Sequence, residues 1–213
     1  MSINISIYFE GGGKGDASSM SAMRQGMSRF LLSGIGEVRG KARWKVIPCA
    51  GRTQTYNAFI NALETDAATI NILLVDSEDP VKFTNDPRPW EHLTKRIGDQ
   101  WKQPRGVDHD RCQLMVACME AWFLADPAGL KKHYGGNLDT AKLPAANLAE
   151  SRTRADINDA LQKATKNTKA KEYQKIRDGA KLLEKVNSAE VRKHCKWCER
   201  LFMDLGKAIG AKI

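Results

Sequence analysis

Carboxylates that follow two apolar, strand-like segments are the residues of this sequence best suited to chemistry. Glu10 comes directly after the alternating segment 3–9, and the run 76–79 comes directly after the apolar segment 70–75. Three carboxylates within four residues repel one another and raise one another's pKa values unless a cation compensates them. Carboxylate oxygens select hard cations, and Mg²⁺ usually takes one or two carboxylates together with water and substrate phosphate. The sequence therefore predicts a cluster that binds Mg²⁺ or Mn²⁺ through Glu10, Asp76, Glu78 and Asp79, and a polar loop at the end of a strand is the alternative explanation of 76–79.

The glycines at positions 11–13 favour phosphate chemistry at this cluster. They let the backbone turn sharply after Glu10, and they let a phosphate backbone approach closely. One or two bound ions would activate water and stabilise the leaving oxygen of a phosphodiester. Lys14 in the same turn is a candidate contact for the scissile phosphate, and an exposed turn lysine is the equal alternative.

The same glycine run does not match the loops that bind nucleotide phosphates. A Walker A loop needs Gly, four residues, and then Gly-Lys followed by Ser or Thr. Around Gly13 and Lys14, Tyr8 stands where the first glycine belongs and Gly15 stands where Ser or Thr belongs. A dinucleotide fingerprint needs a small residue where Asp16 stands. Both nucleotide motifs are therefore disfavoured.

Hydrophobic periodicity predicts the elements that must position these acids. Apolar or alternating β-branched stretches predict strands, and apolar residues at helical spacing predict helices between them. Strands that alternate with helices are typical of an open, mostly parallel sheet flanked by helices, in which ligands collect at the carboxyl ends of the strands. We predict strands at 3–9, 43–48, 70–75 and 113–118, and helices from a cap at Asp16 or Ser18 to about 32, at 54–63 and at about 90–97.

The composition is that of an ordinary globular protein, with 42% hydrophobic and 28% charged residues among 213. We expect residues 1–150 to form the α/β metal-binding domain and residues 151–213 to form a basic helical extension packed on it. No apolar run approaches the roughly 20 residues that span a bilayer, and no signal-peptide pattern opens the sequence. The odd number of cysteines, 5, argues for reduced thiols. We therefore expect a cytoplasmic protein without membrane association.

Positive charge is concentrated in the second half of the chain. Residues 1–110 contain 14 Lys and Arg against 13 Asp and Glu, whereas residues 111–213 contain 20 against 12. A basic half indicates a polyanionic partner, nucleic acid first, although a solvated lysine-rich surface would give the same count. Candidate phosphate contacts that would be independent of base sequence are Lys163, Lys166, Lys169, Lys171, Lys175 and Arg177.

Phe-Glu-Gly-Gly at 9–12 and Val-Asp-Ser-Glu at 75–78 resemble the Toprim pattern. Toprim domains occur in topoisomerases, primases and nucleases of the overcoming-lysogenization-defect kind. They carry a glutamate after the first strand and an Asp-x-Asp pair after a later strand. The resemblance implies that Glu10 is a general acid or base and that Asp76 and Glu78 bind Mg²⁺. Glu78 stands where the pattern has its second aspartate, which keeps Asp79 as an alternative ligand.

A second resemblance extends over nearly the whole chain. Residues 119–126, 173–176 and 191–195 are similar to a Toprim-like bacterial family of uncharacterised proteins, domain-of-unknown-function family 4276. Members of that family often occur beside an AAA-type ATPase, an arrangement shared with phage-defence nucleases. The resemblance therefore implies a defence or DNA-processing role and an ATPase partner.

Three further features are candidates that have competing structural explanations. Glu120, after the predicted strand 113–118, is either a further metal ligand or a glutamate at a helix start. His109 is either a proton-transfer group or a solvated loop histidine. Cys195 and Cys198 have the spacing of half a zinc site, but the sequence contains no second Cys-x-x-Cys. We expect these two cysteines to be packing residues.

These features predict a Mg²⁺-dependent nuclease that hydrolyses phosphodiester bonds, with Glu10, Asp76 and Glu78 at its centre. The main alternative is a catalytically inactive Toprim-like adaptor that binds nucleic acid or a partner ATPase. A third alternative is a small-molecule phosphohydrolase on an α/β sheet. That enzyme would turn over mononucleotides and would show no salt-sensitive binding of DNA.

Overall fold

Four parallel strands form the central sheet of the computed structural model, which describes residues 3–13 and 16–211. Their bounds are Ile3–Glu10 for β1, Ala42–Cys49 for β2, Ile70–Asp76 for β3 and Cys112–Met115 for β4. The strands lie in the order β2-β1-β3-β4, and each neighbouring pair is parallel. The predicted α/β fold with an open parallel sheet is confirmed, and β1 and β3 are its interior strands.

Helices separate the strands and continue after the last of them. Helix α1 (Ala17–Ile35) begins after Asp16, whose carboxylate accepts the backbone N–H of Ser19 at 2.9 Å. Asp16 rather than Ser18 is therefore the cap, and the helix continues past its predicted end near residue 32. The other α-helices are α2 (Arg52–Thr65), α3 (Pro89–Lys95), α4 (Ala121–Leu124), α5 (Pro127–Tyr134), α6 (Arg154–Thr165), α7 (Lys175–Leu183), α8 (Ser188–His194) and α9 (Lys196–Ala208).

Burial on both faces explains why the apolar segment 70–75 becomes an interior strand. Successive side chains of a strand point to opposite faces of the sheet. Ile72 and Leu74 pack in the core that contains residues of β1 and α1, whereas Leu73 and Val75 pack in the core that contains residues of α2 and α3. Parallel strands covered on both faces have continuous apolar sequences rather than alternating ones.

Most buried apolar residues of the C-terminal helices belong to the larger of these two cores, whereas Trp197 belongs to the other. Helices α7, α8 and α9 contact α1, and α9 also contacts β4. Phe202 of α9 lies against Phe30 of α1 with ring centroids 6.0 Å apart, and Cys195 and Cys198 are buried in the same core. The predicted helical C-terminal region and the packing role of the two cysteines are therefore confirmed. In the described residues, no helix has both the length and the apolar composition that a membrane crossing requires.

The fourth strand is shorter than predicted. β4 ends at Met115 rather than at Cys118, and the residues that follow bind the end of β3 through individual hydrogen bonds. The N–H of Glu78 donates to the carbonyl of Ala117 at 2.8 Å, and the N–H of Met119 donates to the Asp76 carboxylate at 2.8 Å. Residues 116–119 therefore hold the end of β3 instead of extending the sheet.

Ile72→Ala should lower the free energy of unfolding by about 2–5 kcal/mol, because removal of an interior side chain leaves a cavity. Ile72 is 2% exposed, whereas Ile97 is 90% exposed and provides a control of the same residue type. Ile97→Ala should change this free energy by less than about 0.5 kcal/mol. Urea denaturation measures both differences. Equal losses in the two variants would contradict the position of residues 70–75 as an interior strand.

Candidate metal centre

The carboxyl ends of β1 and β3 border a crevice in the sheet. The chain passes from β1 to β2 in one direction along the sheet and from β3 to β4 in the other. The segments that leave β1 and β3 therefore diverge, and such a switch point is where open parallel sheets bind ligands. Glu10 is the last residue of β1 and Asp76 is the last residue of β3. The two acids thus end neighbouring strands at the same edge.

Glu10, Asp76 and Glu78 come together at this edge and are called the triad below. One carboxylate oxygen from each lies within 4.8 Å of the other two. Asp76 is 1% exposed, whereas Glu10 and Glu78 are partly exposed, so solvent reaches the triad through the two glutamates. A donor set made only of carboxylate oxygens fits a hard divalent cation such as Mg²⁺ or Mn²⁺.

Unusual backbone conformations set the positions of Glu10 and Glu78. Gly12 and Gly13 have φ values of 100° and 60°, which glycine adopts without steric cost, so the chain turns directly after Glu10. Glu78 has a φ of 71°, a left-handed conformation that is uncommon for a residue with a side chain. Its N–H hydrogen bond to Ala117 holds the turn. Such conformations persist where the surrounding structure enforces them, and they cluster at functional sites.

Asp79 does not join the triad. The side chain of Asp79 is exposed, and its backbone carbonyl accepts the hydroxyl of Ser77 at 2.6 Å. Of the two acids considered as the second ligand after β3, Glu78 is the one that the structure brings to Glu10 and Asp76. The left-handed turn at Glu78 and the length of the glutamate side chain together bring its carboxylate to Glu10 and Asp76.

Arg52 connects the triad to the loop that precedes β4. Its guanidinium donates to Oε2 of Glu10 at 3.3 Å and to the backbone carbonyl of Asp76. The same guanidinium donates to both carboxylate oxygens of Asp99 at 2.6 Å and lies 5.0 Å from the ring centroid of Trp101. Burial lowers the pKa of Arg52, but Asp99 and Glu10 outweigh burial and raise that pKa. Arg52 is therefore a permanent cation that fixes the position of Glu10.

Two more cations approach the triad from the C-terminal part of the chain. Arg154, the first residue of α6, pairs with Glu78 and lies 3.6 Å from Oδ2 of Asp76. Lys175, the first residue of α7, has its Nζ 3.7 Å from the same oxygen and 3.3 Å from Oε1 of Glu120. Opposite charges at these distances compensate part of the repulsion among the acids.

Glu120 lies beside the triad but is not one of its members. It is 4% exposed and accepts the hydroxyl of Tyr173 at 2.9 Å, in addition to its ion pair with Lys175. Burial raises the pKa of Glu120, but Lys175 and the Tyr173 hydrogen bond outweigh burial and lower that pKa. Glu120 is therefore a buried anion that holds Lys175 at the edge of the triad.

Burial dominates the ionisation of the two strand-end acids. It raises the pKa of Asp76 to about 7, because Lys175 and Arg154 offset only part of the effect of burial and of the neighbouring carboxylates. Burial likewise raises the pKa of Glu10, an effect that Arg52 opposes and Glu78 reinforces. The charged forms of both acids are thus disfavoured in the folded protein. A divalent cation would relieve this cost, and an acid with a raised pKa suits proton transfer near neutral pH.

The basic residues predicted to contact phosphate are found in different surroundings. Lys175 lies at the triad, and Arg177 pairs with Asp178 at 2.7 Å. His109 precedes β4 and so lies at the opposite edge of the sheet from the triad, which excludes it as a proton-transfer partner there. Lys14 lies outside the described residues. The remaining candidates are exposed on α6 and the segment after it: Lys163, Lys166, Lys169 and Lys171.

Three residues of the site were not predicted from the sequence, because the patterns that could have identified them are weak or absent. Arg52 follows β2 at the same edge of the sheet as the triad, so the rule that identified Glu10 and Asp76 also applies to it. Arg154 is marked only by the capping box at the start of α6. Asp99 lies in a loop, and no local pattern indicates that this loop returns to the triad.

The fold and the site define a parallel α/β domain with three carboxylates at the switch point of its sheet. The chain belongs to the family described as Domain of unknown function (DUF4276), whose model matches residues 21–206. The matched segment contains Asp76 and Glu78 and begins after Glu10. The resemblance to this family is therefore confirmed, whereas the relationship to Toprim proteins stays a prediction. No curated protein and no solved structure matches the chain.

Asp76→Asn should gain stability relative to the parent as the pH rises from about 5 to about 8 in EDTA. The pKa of Asp76 in the fold, about 7, exceeds its ordinary value of 3.8. Between these values the folded state binds more protons than the unfolded chain, so the parent loses stability as the pH rises through them. Asparagine does not titrate, so the variant does not lose stability in this way. The resulting difference in the free energy of unfolding amounts to at least about 1 kcal/mol. Thermal unfolding at the two pH values measures the difference.

Asp178→Asn is the matched control for this measurement. Asp178 is also buried, but hydrogen bonds from Arg177, Gln174 and Tyr134 outweigh burial and lower its pKa. Its charged form stabilises the fold above the unfolded pKa, so this variant should be less stable than the parent at both pH values. A stability deficit of Asp76→Asn that grows with pH would contradict the assignment for Asp76.

Proposed function

We propose that this protein is a Toprim-like phosphodiesterase that cleaves nucleic acid with Mg²⁺ or Mn²⁺. The observation that carries the proposal is the approach of Glu10, Asp76 and Glu78 to within 4.8 Å at the carboxyl edge of the interior strands. A glutamate after the first strand and an acid pair after a later strand also form the Toprim pattern. The donor set suits the hard cations that assist phosphodiester hydrolysis.

Each residue of the triad has a role in this proposal. Asp76 and Glu78 would hold the ion, which would supply an activated water and neutralise charge at the leaving oxygen. Glu10 exchanges a proton with the reacting water or the leaving oxygen, because its raised pKa brings its titration closer to neutral pH. Arg52 orients Glu10 through their 3.3 Å hydrogen bond. Glu120 does not belong to the triad and positions Lys175 through their ion pair.

The distribution of charge favours nucleic acid as the substrate. The chain carries a net charge of +9, most of it after residue 110. Exposed cations on one region of a protein neutralise backbone phosphates without reading base sequence. The lysines proposed for this contact are Lys163, Lys166, Lys169 and Lys171, and each of them is exposed.

Glu10→Gln and Asp76→Asn should each slow the cleavage of plasmid or oligonucleotide by about 100-fold or more. Glu10→Gln removes a proton-transfer group, which typically contributes about 10²–10⁴-fold to the rate. Asp76→Asn removes a charged ligand and should also weaken Mn²⁺ binding. Gel-based cleavage kinetics with Mg²⁺ or Mn²⁺ measure the rates, and calorimetric titration with Mn²⁺ measures the metal affinity.

Asp79→Asn is the matched control for the triad variants. Asp79 belongs to the same acidic run as Asp76, but its side chain is exposed and outside the triad. This variant should cut nucleic acid and bind Mn²⁺ like the parent. Cleavage at the parental rate by Glu10→Gln and Asp76→Asn would overturn the proposal, and a loss confined to Asp79→Asn would move the ligand role to Asp79.

A second candidate function is that of a catalytically inactive Toprim-like adaptor for nucleic acid or a partner ATPase. A specific observation favours it: Arg52, Arg154 and Lys175 together pair with every carboxylate of the triad. Partial compensation by cations of the chain itself reduces the need of these acids for a metal ion. Tight binding of an AAA-type ATPase without cleavage of any nucleic acid would favour the adaptor. A role in phage defence is compatible with both candidates.

Replacement of Lys166 and Lys169 by alanine should weaken nucleic-acid binding and reduce its dependence on salt. Each lysine that no longer neutralises a phosphate should lower the slope of log affinity against log salt by about 1. Fluorescence anisotropy of a labelled oligonucleotide in Ca²⁺ at several salt concentrations measures the slope. The matched control replaces Lys41 and Lys45, which are exposed directly before β2 and within it. An equal change of slope in both pairs would contradict a specific role for Lys166 and Lys169.

A further inference from the structure

A cavity of about 440 Å³ adjoins the triad on the side of helices α6 and α7. Its volume lies in the range of small-molecule sites, about 300–1,000 Å³. Its wall combines two cations, one buried carboxylate, an amide and apolar groups. The residues of this wall that matter for its chemistry are Glu120, Arg154, Ala155, Asn158 and Lys175.

Arg154 and Lys175 belong both to the cavity and to the surroundings of the triad. Each lies less than 4 Å from Oδ2 of Asp76, at 3.6 Å and 3.7 Å. Their side chains are nevertheless 40% and 44% exposed, and they form part of the cavity wall. A phosphate that enters the cavity would therefore meet two cations directly beside the triad, and charge-assisted hydrogen bonds of this kind are strong.

The rest of the wall suits a nucleoside. Ala155 provides exposed apolar surface against which a base or a sugar packs, and the amide of Asn158 both donates and accepts hydrogen bonds. Ala155 and Asn158 are exposed, and their spacing places them on one face of α6. The volume of about 440 Å³ is sufficient for a single unpaired nucleotide.

We infer that this cavity binds one nucleotide, with its phosphate between Arg154 and Lys175 and its nucleoside against Ala155 and Asn158. The inference deepens the proposed function and rests on it, because it names the class of substrate. That class is nucleic acid with an unpaired nucleotide, such as a single strand or a frayed end. An intact duplex would first have to release a base from its stack, which costs a few kcal/mol.

Metal and nucleotide should bind cooperatively. Asp76 and Glu78 attract Arg154 and Lys175, so a cation that neutralises these acids frees both side chains for the phosphate. Ca²⁺ should therefore strengthen nucleotide binding by about 5–150-fold relative to EDTA. The nucleotide should strengthen Ca²⁺ binding by the same factor, because coupling between two sites is reciprocal.

Titration calorimetry with adenosine 5′-monophosphate in Ca²⁺ tests the inference. The parent should bind the nucleotide, and Ala155→Trp should bind it at least about tenfold more weakly because the indole fills the cavity. Asn158→Trp should weaken nucleotide binding to the same extent, because residue 158 lies on the same face of α6, three residues after Ala155. Inorganic phosphate should bind the parent at least about tenfold more weakly than the nucleotide, because it lacks the nucleoside.

Ala189→Trp is the matched control for the cavity variants. Ala189 is exposed and occupies the same position in the first turn of α8 that Ala155 occupies in α6. This variant should keep the nucleotide affinity of the parent within about twofold. Both cavity variants should keep the parental affinity for Ca²⁺ in the absence of nucleotide, because neither changes a charge at the triad.

Three outcomes would overturn the inference. They are nucleotide binding at parental affinity by both tryptophan variants of the cavity, equal binding of phosphate and nucleotide, and no nucleotide binding by the parent. Failure of the proposed function has a different signature, in which Asp76→Asn cuts nucleic acid like the parent. Cleavage that depends on Asp76, combined with normal nucleotide binding by Ala155→Trp and Asn158→Trp, would remove the cavity assignment alone.

Discussion

Repulsion among three carboxylates at one edge of the sheet is the constraint on which the rest of the site depends. The parallel sheet brings Glu10 and Asp76 to the ends of neighbouring strands, and the left-handed turn at Glu78 adds the third acid. Burial makes this arrangement more costly, because it raises the pKa of Asp76 to about 7. Cations must therefore stand close to the triad whenever it is charged.

Those cations come from parts of the chain that are far apart in sequence. Arg52 begins α2, Arg154 begins α6 and Lys175 begins α7, and all three reach the acids with their side chains. The C-terminal helices thus complete the site electrostatically while they cover one face of the sheet. If a divalent ion took over this compensation, Arg154 and Lys175 would be free to bind a phosphate, whereas Arg52 would keep its hydrogen bond to Glu10.

The parts of the fold that follow from local patterns were predictable, and the parts that follow from packing were not. The apolar segment 70–75 predicts β3 because burial on both faces leaves a continuous apolar sequence. The prediction placed the end of β4 at Cys118, three residues too late. The N–H of Glu78 donates to the carbonyl of Ala117, and the N–H of Met119 donates to the Asp76 carboxylate. These contacts join parts of the chain that are distant in sequence, so no local pattern indicates them. The cysteines near the C-terminus were correctly expected to pack, since a zinc site needs four ligands.

The sequence by itself determined the α/β class, the strand-end positions of Glu10 and Asp76 and the basic character of the second half, because alternation, helical spacing and charge are local properties. Only the tertiary structure decided that Glu78 rather than Asp79 joins the triad, since a φ of 71° sets the direction of that side chain. It also decided that Arg52, Arg154 and Lys175 compensate the acids and that a cavity opens beside them. These features depend on how helices distant in sequence pack on the sheet, and no local pattern encodes that packing.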